Sequence, residues 1–113
     1  MQDSIVQPLV LILNHADALL LNTVLDDDQQ QIVHAILAEA AQLRDLVITL
    51  AELTLERVQQ VFDFEARQRL TSIIGYAEML LEEPERITQK QARLLAEIRQ
   101  AGRQLARTIM QQE

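Results

Sequence analysis

Only two glycines and two prolines punctuate 113 residues. Strands and hairpins need far more turn material than that, so the sequence points to helices alone. The apolar residues agree, because they recur every three to four positions rather than every second one. Half of the chain is apolar, yet only Phe62, Phe64 and Tyr76 are aromatic. The core must therefore come from Leu, Ile, Val and Ala, a composition suited to a helix bundle.

The chain also compares well with itself. A shift of 61 sets Gln7 on Gln68, Leu9 on Leu70, Ile12 on Ile73, Leu13 on Ile74 and Ala16 on Ala77. It also sets Asp17 on Glu78, and Leu19 and Leu20 on Leu80 and Leu81. Beyond a polar turn, a shift of 62 sets Ile32 on Leu94, Val33 on Leu95, Ile36 on Ile98, Leu43 on Leu105 and Val47 on Ile109. Each copy reads as helix, short turn, helix. We expect one domain over residues 1–113, with hairpins over about 3–50 and about 62–112.

The periodicity predicts a first helix from about Ser4 to Leu21, with Pro8 tolerable near its start. Asn22 and Asp26, Asp27 and Asp28 form the first turn, with Asp27 or Asp28 as the expected cap. The second helix carries Ile32, Ile36, Leu43, Val47 and Leu50 on one side. Pro84 interrupts the second hairpin, and Thr88 caps a last helix carrying Leu94, Leu95, Ile98, Leu105 and Ile109. Gly102 costs that helix about 1 kcal/mol against Ala unless close packing requires it.

Residues 51–64 allow two architectures. Val61, Phe62, Asp63 and Phe64 are mediocre helix formers, and Asp63 can cap a new helix. A turn near 60–64 closes four helices into one all-α bundle, the arrangement we favour. An unbroken helix instead gives three helices with a long central one, which must dimerise to cover its apolar faces.

Composition narrows the functions. The absence of cysteine removes disulfides and thiolate metal sites and fits a reducing cytoplasm. A net charge of −7 argues against nucleic acid as the main partner. Residues 1–56 carry nine acids and one base, Arg44, whereas residues 57–113 carry eight acids and nine bases. Such halves attract within one chain or between two copies. The terminus begins acidic at Asp3, unlike a secretory leader. The run Leu9–Leu13 is short, and Asn14, His15 and Asp17 interrupt it, so a buried helix is expected rather than a membrane span.

Residues 64–81 read FEARQRLTSIIGYAEMLL. The segment resembles the phosphoacceptor helix of sensor histidine kinases, whose dimerisation and phosphotransfer domain reads roughly H-E-L-R-T-P-L-T-x-I-x-G-Y-A-E-x-L-L. Glu65, Arg67, Leu70, Thr71, Ile73, Gly75, Tyr76, Ala77, Glu78, Leu80 and Leu81 fit the pattern. Phe64 stands where the family has its histidine, and Arg69 where it has proline. A benzyl ring has no nucleophilic nitrogen and cannot accept a phosphoryl group. The chain also lacks room for an ATP-binding domain, so no kinase activity of its own is expected.

The resemblance implies a non-catalytic interaction module of two-component signalling, bound by a receiver domain or a histidine kinase. The implied surface comprises Phe64, Arg67, Gln68, Thr71 and Gly75. As an alternative, Phe64 starts a core face with Phe62. Gln7 and Gln68 stand one helical turn after the two acceptor positions, Asp3 and Phe64. Related phosphatases use an amide or hydroxyl there to orient water, so a receiver phosphatase is a second reading.

His15 and His34 are the only histidines, and neither lies in an acceptor motif. They are the candidates for a phosphotransferase, because that reaction needs an exposed imidazole. His15 lies in the most apolar helix and reads as a packing residue. His34 shares a face with Gln30, Ala38 and Asp45 and reads as solvated. Their spacing offers no metal site, and no cofactor is expected. Glu65 reads as stabilising a helix start, and Arg67 with Arg69 as a small basic patch. A third reading is a helical oligomerisation protein outside phosphate signalling, since the apolar first helix must be buried by something.

Overall fold

A computed structural model describes residues 2–52 and 56–111, with side chains described for 5–49 and 63–109. Four helices follow in order: α1 (Gln2–Asn22), α2 (Asp27–Glu52), α3 (Glu56–Leu81) and α4 (Gln89–Gln111). A 3-10 turn, Pro84–Arg86, precedes α4. Helix α1 packs on α2 and α4, and α3 packs on the same two helices. The result is a four-helix bundle of 47 × 21 × 21 Å, with α1 and α3 on one diagonal.

Helices α2 and α3 lie side by side, which one continuous helix cannot do. The long three-helix alternative is thereby removed. The reversal also differs in place from the expected turn at 60–64. Helix α3 already runs through those positions, and residues 53–55 between the helices lie outside the described residues. Asp63 is consequently no cap. It sits inside α3, is buried, and is held by a polar interaction. Tertiary packing has overridden the weak local propensity of Val61–Phe64.

Positions related by the 61- and 62-residue shifts are buried alike. Ile5, Leu9, Ile12, Ala16 and Leu19 form the buried face of α1. Their counterparts 61 residues on, Ala66, Leu70, Ile73, Ala77 and Leu80, form that of α3. In the returning helices, Val33, Ile36 and Leu43 correspond to Leu95, Ile98 and Leu105, all buried. Each Leu or Ile so buried contributes about 1.5–3 kcal/mol relative to exposure. By length and hydropathy alone Ile5–Asn22 is apolar enough to cross a bilayer, but a third of that window is buried inside the bundle.

The hairpin turns carry a second layer of the repeat. Asp26, rather than Asp27 or Asp28, caps α2: its Oδ1 accepts the Gln29 amide at 2.8 Å. In return Gln29 Oε1 accepts the Asp26 amide at 3.0 Å, a reciprocal capping box. Thr88 caps α4 as expected and does the same with Gln91, at 3.1 and 2.9 Å. Both glutamines are buried, and each sends its amide nitrogen to the other hairpin's turn. Gln29 Nε2 donates to the Arg86 carbonyl at 3.0 Å. Gln91 Nε2 donates to the Val24 carbonyl at 2.8 Å, and to Thr23 Oγ1 at 3.1 Å. Val24 and Arg86 are themselves related by the 62-residue shift, so the two hairpins grip each other by matching contacts.

Candidate partner-binding surface on α3

Helix α3 buries Ala66, Leu70, Ile73 and Ala77, which fixes the opposite face as its outer one. Phe64, Arg67, Gln68 and Thr71 fall there and are all exposed. Together with Arg69, Ser72 and Glu39 of α2 they line one open depression of about 600 Å³. Gly75 continues the row one turn further and is half-buried, with nothing within 4 Å of where a Cβ would stand. The structure thus brings the expected surface residues into one stripe.

Phe64 does not begin a core face. It is 62% exposed, an unusual state for a benzyl side chain. Phe62 lies outside the described side chains. Thr71 donates its hydroxyl to the Arg67 carbonyl at 2.8 Å, a bond that fixes its rotamer. Arg67 is itself engaged by a polar interaction.

Arg67 and Arg69 both line that depression, and the charge of Arg69 is met by carboxylates. Arg69 turns towards α2, where Nη1 lies 3.1 Å from Glu39 Oε2, and its Nη2 lies 3.6 Å from Glu65. Glu65 therefore serves a mid-helix ion pair one turn from Arg69, not a helix start, because α3 begins nine residues earlier at Glu56.

The remaining candidates lie elsewhere. Gln7 is exposed in a groove between α1 and α4 with Pro8, Leu11, Gln100, Gln104 and Thr108, so the two glutamines belong to separate surfaces. His15 is tied across the bundle: its Nε2 and Glu97 Oε2 of α4 form a hydrogen-bonded pair. The ring is partly buried, with its side chain 22% exposed, and this contact ties it to α4. His34 is exposed on α2, as are Gln30, Ala38 and Asp45. Neither histidine lines the depression around Phe64. Among the described residues no cluster of three His, Cys, Asp or Glu could hold a metal ion.

Two features escaped the sequence reading. The reciprocal glutamines were signalled by D-x-x-Q at 26–29 and T-x-x-Q at 88–91, both capping-box spacings. The other is a row of arginines on α4, Arg99, Arg103 and Arg107, spaced by four residues and hence on one face. No family model, curated protein or solved structure that was compared matches this chain. The histidine-kinase resemblance accordingly rests on residues 64–81 themselves.

Proposed function

We propose that this chain is a non-catalytic, histidine-kinase-like interaction module of two-component signalling, acting in the cytoplasm. Its outer α3 stripe would dock a receiver domain or a histidine kinase, without passing phosphate. The observation that carries this reading is Phe64. It occupies the phosphoacceptor position of the resembled motif and stands 62% exposed at the head of a row with Arg67, Gln68 and Thr71. Exposed aromatics beside Arg are what protein interfaces enrich, and they anchor binding by filling a partner's pocket. Two hairpins on one chain supply the four helices that the resembled family assembles from two chains.

The test is a pull-down from the source cell with the tagged chain, using Phe64→Ala and Gln68→Ala as paired baits. Recovery of a receiver domain or histidine kinase, with at least tenfold loss in the Phe64 variant, supports the reading (about 1.4 kcal/mol or more). Retention of the partner by both variants would sink it, as would recovery of neither class. Phosphatase chemistry is separated by following dephosphorylation of the captured receiver. Unchanged rates in Gln68→Ala and Gln7→Ala leave a binding role alone.

A further inference from the structure

Away from the Phe64 stripe, α3 and α4 enclose a second groove of about 640 Å³, with Ile74, Ala96 and Ala106 between Arg99, Arg103 and Arg107. Arg103 approaches Glu78 at 3.4 Å. Among the described residues Arg99 and Arg107 have no ion-pair partner. A cationic groove with an apolar floor is out of keeping with a chain of net charge −7. It suits an occupant that presents carboxylates around an apolar knob.

The chain carries such a knob itself. At the α1–α2 turn, Leu21 is 80% and Val24 93% exposed, the most exposed large apolar residues described. Asp27 and Asp28, both exposed, follow directly. The end of the bundle formed by this turn and the 82–90 segment holds six carboxylates (Asp26, Asp27, Asp28, Glu82, Glu83, Glu85) against Arg86 and Lys90. The groove lies further down. Arg99, Arg103 and Arg107 are 10 to 18 residues into α4, roughly 15–27 Å from that end at 1.5 Å per residue. The tip therefore cannot reach the groove of its own molecule.

We propose that the occupant is a second copy of this chain, with the Leu21–Asp28 tip of one molecule seated in the Arg99–Arg107 groove of the next. Such a contact joins two different patches, so it builds either a reciprocal antiparallel pair or head-to-tail chains and rings. The patch is small, so association is weak and salt-sensitive.

The experiment is sedimentation velocity on the full chain up to millimolar concentration, at about 0.02 M and about 0.5 M salt. Dimers or larger species appear at low salt, and the apparent affinity falls about tenfold or more at high salt. A groove variant (Arg99→Glu with Arg103→Glu) and a tip variant (Leu21→Ser with Val24→Ser) are each monomeric. Helical circular dichroism confirms that both are folded, and Arg103→Gln alone serves if the double charge reversal is not. Mixed in equal amounts, the two variants form a one-to-one dimer that grows no further, because one intact groove and one intact tip remain. Phe64→Ala leaves the association unchanged, which separates it from receiver docking. A wild-type chain that stays monomeric at low salt overturns the proposal. So does growth that persists in either variant, or a mixture that does not pair.

Discussion

The two hairpins share an inside and differ outside. Where α1 buries Ile5, Leu9, Ile12, Ala16 and Leu19, α3 buries Ala66, Leu70, Ile73, Ala77 and Leu80, and the capping glutamines are equivalent too. On the outer faces the correspondence fails. Val6 and Val10 of α1 are exposed where α3 has Arg67 and Thr71. Leu37, Ala41 and Asp45 of α2 stand where α4 has Arg99, Arg103 and Arg107. The bundle needs the interior and the turns of both copies, because each hairpin buries its apolar face only against the other. The outer faces are released from that requirement, and their chemistry has separated into an acidic, apolar hairpin and a near-neutral, arginine-bearing one.

The sharpest break in the equivalence is expected at the buried glutamines. Gln91 sends its amide to two acceptors in the first turn, Val24 and Thr23, whereas Gln29 reaches only the Arg86 carbonyl in the second. Gln91→Ala strands more buried polar groups and leaves a cavity, for a loss of about 2–3 kcal/mol. Gln29→Ala is expected to cost about 1–2 kcal/mol. Urea unfolding of both variants measures the difference. Equal losses, or losses near zero, would mean that the cross-hairpin bonds do not hold the turns together.

The interior was legible in the sequence and the outside was not, for physical reasons. The 61- and 62-residue shifts located the core because burial constrains size and polarity at each repeat position. The first cap was misplaced because Asp26, Asp27 and Asp28 are equally good cap residues. Only Gln29, three positions after Asp26, decides among them by closing the box. The α2–α3 boundary was placed too late because Val61–Phe64 reads as a weak helix. Burial of Ala66 favours α3 through it, with Asp63 held there by a polar interaction. Phe64 illustrates the limit for function. Periodicity alone left open whether it joins Phe62 inside or faces water, and the answer depends on which face of α3 its neighbours pack.

A second contrast concerns the glycines. A Cβ on Gly102 would stand 2.9 Å from Ile74 Cγ1, so this β-branched, partly buried side chain would have to shift. Gly102→Ala is expected to destabilise by about 1–2 kcal/mol, since overpacking outweighs the helix propensity gained. Gly75 meets nothing within 4 Å, so Gly75→Ala should stabilise by about 0.5–1 kcal/mol. Thermal melts decide the signs. If Gly75→Ala also weakens capture of a partner by the α3 stripe, the open space beside it is used for binding and not for folding.

The smallest effect separates the two caps by pH. Asp26 is ionisable and Thr88 is not, although both hold the N3 amide of their helix. The Gln29 amide is the largest influence and holds the Asp26 carboxyl below its usual value of 3.8; desolvation opposes it, and the Arg86 guanidinium and the Asp28 amide lower it further. A carboxyl whose value is lower folded than unfolded contributes stability that is complete above the unfolded value. That stability is lost as pH falls through the folded one. Acid below about pH 4 should therefore weaken the start of α2 and its tie to Arg86, and leave the start of α4 intact. Amide exchange near Gln29 and Gln30 should accelerate with acid relative to Gln91 and Ala92, once the intrinsic pH dependence is divided out. In Asp26→Asn, which still accepts the Gln29 amide but does not titrate, that relative acceleration should vanish. Equal acceleration at both helix starts would show that acid acts on the bundle as a whole, and that the turns are not independent switches on one shared core.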